Sequence, residues 1–143
     1  MTRTAESLVI FIARIALAVL FLWGGAMKLL GYAGFMGYLH TKGVPYATIA
    51  APVAVAVELL GGIALVIGVR TRAVGFLLAV YTIATAVFGH DFWNIADAAQ
   101  QQDAVVHFWK NIAIAGGFLL LMVTGAGRAS IDAMRETHSG RRG

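Results

Sequence analysis

Four apolar stretches, Leu8–Leu30, Thr48–Val69, Ala73–Gly89 and Phe108–Thr124, leave this chain few ways to fold. Each runs for 17 to 23 residues dominated by Leu, Ile, Val, Ala, Phe and Gly. At about 1.5 Å per residue, each crosses or nearly crosses a hydrocarbon core of ~30 Å. Backbone groups inside a bilayer must be satisfied within the segment, so helices are the expected form. The expected fold is therefore all-α, an integral membrane four-helix bundle in which residues 1–143 make one four-span domain. Composition agrees: 59% of residues are hydrophobic and only 13% charged, about half the charge of an ordinary soluble domain. The spans use up nearly all of the chain and leave no room for a separate catalytic domain. The first stretch is too long for the core of a signal peptide and contains Arg14, so it reads as a retained span.

An even number of spans puts both termini on one side. Arg3, Arg70, Arg72, Arg128, Arg135, Arg141 and Arg142 fall on that side, whereas the opposite loops hold Lys42, with Lys28 and Lys110 at helix ends. The positive-inside rule then places both termini in the cytoplasm. The loop from His90 to His107, with Asp91, Asp97 and Asp103, faces out. The net charge of +4 is scattered along the chain, which excludes a basic patch for nucleic acid and leaves membrane lipids as the expected surroundings. The absence of cysteine excludes disulfides, thiol relays, cysteine-ligated iron–sulfur clusters and c-type haem. Any redox role must use a bound cofactor or a partner.

In the first outer loop, Gly31 to Pro45, the residues Phe35, Tyr38 and Leu39 share one side of a short helix suited to the membrane interface. Trp23, Trp93 and Trp109 mark the same outer boundary. Gly61-Gly62 and Gly116-Gly117 each precede an arginine of the opposite side by roughly two turns, a hint of internal duplication. Ala- and Gly-rich faces on the second and fourth spans suit packing within one bundle or within a homo-oligomer.

Two charges lie at membrane depth. Arg14 sits about 9 Å along the first helix from its inner end, and Glu58 lies near the middle of the second. An isolated charge there costs roughly 3 kcal/mol, so each needs a partner or water. A mutual Arg14–Glu58 pair is the expected solution, because Ala50, Ala51, Ala54, Gly61 and Gly62 on the Glu58 face let the helices approach. The competing solution has Arg14 extending to the surface and Glu58 protonated.

The outer end carries the candidate site. Arg14, Leu17, Phe21, Gly24-Gly25 and Lys28 recur at helical spacing, so Lys28 points into the bundle. His90 and Asp91 close the third span, and His107, Lys110 and Asn111 open the fourth. Lys28, His90, Asp91, Trp93, Trp109, Lys110 and Asn111 form the expected ligand site, in which donors meet quinone carbonyls and tryptophans stack on the ring. Asp91 is the nearest acid in sequence to offset the two lysines. The competing view is an ordinary polar helix boundary. His90, Asp91 and His107 have metal-binding chemistry, but their spacing matches no fixed ligand motif, and no metal is expected.

The order of these features resembles the DoxX family of small four-span bacterial membrane proteins, over about residues 10 to 134. The matching pieces are Arg14 followed by Gly24-Gly25-Ala26-Met27-Lys28, Phe35 through Gly43-Val44-Pro45, Glu58-Leu59-Leu60-Gly61-Gly62 through Gly68-Val69-Arg70-Thr71-Arg72, and His90. Lys110-Asn111 and Gly125-Ala126-Gly127-Arg128-Ala129-Ser130-Ile131-Asp132 complete the pattern. The resemblance implies the bacterial cytoplasmic membrane and a link to membrane redox chemistry, since the family takes its name from a subunit of a thiosulfate:quinone oxidoreductase. Three functions follow as expectations. The first is a membrane oxidoreductase subunit that binds quinone or docks a soluble oxidoreductase partner. The second is a non-enzymatic scaffold or assembly factor, and the third a small transporter gated by Arg14 and Glu58.

Overall fold

The computed structural model describes residues 2–139, so Arg141 and Arg142 lie outside the described residues. Helix α1 spans Arg3–Leu30, α2 Tyr32–Thr41, α3 Ala47–Ile67, α4 Thr71–Gly89, α5 Ala98–Thr124 and α6 Ile131–Ser139, with one 3-10 turn at Phe92–Asn94. The segments holding α1, α3, α4 and α5 are long and apolar enough to cross a membrane. Among the described residues there is no strand. The first two spans pack mainly against each other, as do the last two, and α2 lies against α3.

Local chemistry sets the ends. The Thr2 hydroxyl accepts from the Ala5 amide at the start of α1, with Glu6 in the first turn and Lys28 in the last, both favourable to the helix dipole. α5 begins at Ala98, ten residues before the apolar stretch that signals it, because Asp97 caps the Gln100 amide. Those polar turns have good helix formers and need no burial, so hydropathy does not reveal them. The expected outer loop therefore shortens to a 3-10 turn and two short connections.

The core is small and asymmetric. Phe21, Leu65, Leu78, Phe118 and Leu121 pack around Ala18 and Ala79, with Phe21 edge-on to Phe118 at 5.1 Å between ring centres. Leu30, Trp23, Leu120 and Val123 face outward, as a bilayer permits. Close approach of α1 and α3 needs glycine: a Cβ on Gly62 would lie 2.7 Å from Leu22 Cγ, and one on Gly25 would lie 2.9 Å from Leu59 Cγ. Gly116 has open space around it, and Gly117 would make ordinary contact. The two Gly-Gly pairs are thus not structurally equivalent, because one sits at a tight helix crossing and the other does not.

At the end of the bundle that holds the termini, the loops lock together. Gly68 ends α3 in the left-handed region at φ 67°, and its N–H donates to the carbonyls of Ala64 and Leu65. A side chain there would also collide with Ser130 Cβ at 2.5 Å and Arg14 Nη1 at 2.6 Å. The Asp132 carboxylate accepts from the Arg70 and Thr71 amides, each at 2.8 Å, and so caps α4. Ser130 caps α6 by accepting from Ala133.

Candidate functional site

Arg14 and Glu58 do not pair. The Arg14 guanidinium, 1% exposed, donates to the carbonyls of Ala126, Ala129 and Val66 and stacks over the Phe11 ring. Its partners are therefore loop and helix-end backbone. The reason is vertical position: six residues into the apolar part of α1, its long side chain reaches the α5–α6 loop, whereas Glu58 lies level with Gly24 and Gly25, about three turns further along α1. Gly125 and Gly127, at φ 79° and 74°, fold that loop so that its carbonyls turn inward.

Glu58, 6% exposed, has two other partners. Its Oε2 accepts from Lys28 Nζ at 2.8 Å and its Oε1 from the Tyr81 hydroxyl at 2.6 Å. Gly24 makes room, since a Cβ there would stand 3.1 Å from Oε2. Lys28 also faces the Phe35 ring at 5.6 Å, and Phe21 meets Tyr81 edge-on at 6.2 Å.

This network borders a cavity of about 550 Å³ between α1, α2, α3, α4 and α5. Most of its wall is apolar: Leu20, Phe21, Phe35, Leu39, Val53, Phe88 and Ile114. The polar exceptions converge from separate helices: Lys28, Glu58, Tyr81 and Thr85, then His90, Lys110 and Asn111 at the mouth. α2 forms one side and is fastened to the end of α4. The Tyr38 hydroxyl donates to the Gly89 carbonyl at 2.7 Å, and Lys42 Nζ pairs with Asp91 Oδ1 at 2.5 Å. Burial raises the pKa of Tyr38, and Lys42 and Asp91 pull it in opposite directions, so the hydroxyl stays protonated and able to donate.

Of the residues expected at this site, Lys28, His90, Lys110 and Asn111 line the cavity. Asp91 does not: it is held by Lys42 and by Asn94 at 3.1 Å. The acid that offsets Lys28 is Glu58. Lys110 Nζ donates to His107 Nδ1 at 2.6 Å, and His107 Nε2 lies 3.5 Å from Asp103 Oδ1. Trp93 and Trp109 are 52% and 61% exposed and lie outside the cavity. With Phe92 and Phe108 they build an outward aromatic cluster at ring spacings of 5.0 to 6.1 Å, the placement an interface favours. The rings that do line the cavity are Phe21, Phe35, Tyr38, Tyr81 and Phe88. His90 and His107 stack at 5.1 Å. Among the described residues no three histidines or carboxylates group as a metal site. Tyr81 escaped the sequence reading, although Leu78, Tyr81, Thr82 and Thr85 repeat at helical spacing on α4 and mark a partly polar face.

Comparison with known proteins places the chain in a family. Residues 9–91 match DoxX. The inner membrane protein YphA of Escherichia coli is 39% identical over 128 residues, covering 90% of this chain and 91% of YphA. The inner membrane protein YqjF of the same organism is 36% identical over 130 residues, covering 91% of this chain and 94% of YqjF. No solved structure matches the chain.

Proposed function

The chain belongs to the DoxX family, as a multi-pass protein of the bacterial inner membrane, and we propose that it is the membrane subunit of a redox system whose cavity takes a quinone head group. The observation that carries this reading is the Lys28–Glu58–Tyr81 network at the edge of an otherwise apolar cavity. A quinone presents two carbonyl acceptors on a flat apolar ring, with a tail that stays in lipid. Lys28 gives one N–H to Glu58 and keeps others for a carbonyl, and Lys110 and Asn111 supply donors at the mouth. Phe35 and Phe88 offer apolar surface to the ring, and the volume lies within the range of ordinary small-molecule sites. Reduction of a quinone to a quinol takes up two electrons and two protons. The buried Glu58 carboxylate and the half-buried Lys28 ammonium and Tyr81 phenol form a hydrogen-bonded chain along the cavity wall. The chain has no thiol, so in this reading the electrons arrive from a docked oxidoreductase.

Binding of a short-tailed ubiquinone to the purified protein in lipid nanodiscs tests the proposal. Lys110→Met, which leaves the Glu58 network intact, and Lys28→Met should each weaken binding about tenfold or more, the loss of one charge-assisted hydrogen bond, with helical content unchanged. Wild-type affinity in both variants overturns the quinone reading and favours the scaffold. The arginine distribution supports a topology with the termini in the cytoplasm and the cavity mouth outside. A single cysteine at Gln101 should react with an impermeant reagent in intact cells and one at Ser139 should not; the reverse result inverts the topology.

A further inference from the structure

The opposite end of the bundle holds a second, larger cavity, about 840 Å³, walled by four separate pieces of chain. Arg3 comes from the start of α1, Arg70 and Arg72 from the α3–α4 junction, Arg128 from the α5–α6 loop and Arg135 from α6. Five arginines thus face three carboxylates, Glu6, Asp132 and Glu136. These charges are not paired off. Among the described residues no ion pair joins any of the five to an acid. Both Asp132 oxygens are occupied by the Arg70 and Thr71 amides, and Arg72 donates to the carbonyls of Met122 and Val123 at the end of α5. The guanidinium groups of Arg3, Arg70, Arg128 and Arg135 are left exposed, and none hydrogen-bonds to another described residue.

Arginines that outnumber the carboxylates of one cavity and form no ion pair with them suit phosphate, because the planar fork of N–H donors matches two phosphate oxygens at once. Position narrows the source. The cavity lies where four apolar helices leave the hydrocarbon, and Leu8, Ile12 and Phe76 expose apolar surface within about two turns of it along their helices. Its volume is several times that of one phosphate group and accommodates a glycerol backbone. We propose that this cavity binds the phosphodiester head group of an anionic phospholipid, with the acyl chains lying along the exposed apolar helix surface. The site is independent of the quinone cavity, which lies at the other end of the bundle.

The test is native mass spectrometry of the full chain released from nanodiscs of phosphatidylglycerol mixed with phosphatidylcholine, alongside titration with inorganic phosphate. The wild type should retain phosphatidylglycerol preferentially. Removal of each arginine should weaken retention roughly fivefold at low salt, and Arg3→Gln/Arg128→Gln/Arg135→Gln together roughly 100-fold. Because all three side chains are exposed, the variant should keep the wild-type helical content and thermal transition. Should the triple variant fail to fold, the single variant Arg135→Gln carries the same comparison. Equal retention of the two lipids, or unchanged preference in the variant, overturns the proposal. Displacement of the lipid by millimolar inorganic phosphate overturns the lipid assignment in favour of a soluble phosphate ligand.

Discussion

Arg14 and Glu58 are both charged side chains buried at membrane depth, and the bundle satisfies them in opposite ways. Arg14 is held by backbone carbonyls of the α5–α6 loop and the end of α3. These acceptors cannot rotate away, and the charge faces packed protein. Glu58 is held by the Lys28 ammonium and the Tyr81 hydroxyl, two side-chain groups at the wall of a cavity. Side-chain partners of this kind can rotate about their own torsions, whereas the carbonyls of a packed loop cannot. The same electrostatic demand, that a charge in low dielectric must be compensated, thus produces a backbone clamp around Arg14 and a side-chain network at a cavity wall around Glu58. The neighbouring glycines differ accordingly. Gly68 is required by the end of α3 for its φ and by Arg14 and Ser130 for space, whereas Gly24 only opens a gap beside the Glu58 carboxylate.

The strongest way to break this comparison is Arg14→Leu. It leaves three inward-facing carbonyls without a donor and loosens the loop from α1, so stability should fall by about 3 kcal/mol or more. Thermal unfolding in detergent measures it. Because Arg14 and Glu58 share no partner, the effects of Arg14→Leu and Glu58→Gln should add within about 0.5 kcal/mol. A larger coupling between them would restore the direct pair and dissolve the distinction between clamp and wall. A smaller effect sharpens the picture of the clamped end. Burial disfavours the charged form of Asp132, but hydrogen bonds from the Thr71 and Arg70 amides outweigh it and lower the pKa below 3.8. A lowered native pKa means that the stabilisation is complete above the unfolded value and is lost as pH falls through the native one. Asp132→Asn should therefore cost about 1 kcal/mol near neutrality, and its deficit against the wild type should shrink as the pH drops below about 3.8. A deficit that stays constant down to acid pH would show that the carboxylate charge contributes nothing to the cap.

The spans were legible because hydropathy is a local property: a bilayer-crossing segment must be apolar along its own length, whatever it packs against. The short helix with Phe35, Tyr38 and Leu39 on one side was legible for the same reason, from spacing along one segment, but that side lines the cavity. The candidate site was legible by parts. Helical phase alone turned Lys28 inward, and position at the span ends grouped His90, Lys110 and Asn111. Trp93 and Trp109 carried a local signal too, but it was one of membrane boundary, and they face outward.

Sequence by itself determined the all-α membrane architecture, the four spans and the fact that Arg14 and Glu58 each require compensation inside the protein. Only the tertiary structure decided who compensates whom. Pairing depends on the relative height and rotation of helices that are distant in sequence, and a shift of a turn moves a side chain by about 5.4 Å, more than the reach of a hydrogen bond. Lys28 and Tyr81 therefore take Glu58, Lys42 takes Asp91, and Arg14 is left to the carbonyls of a glycine-bent loop.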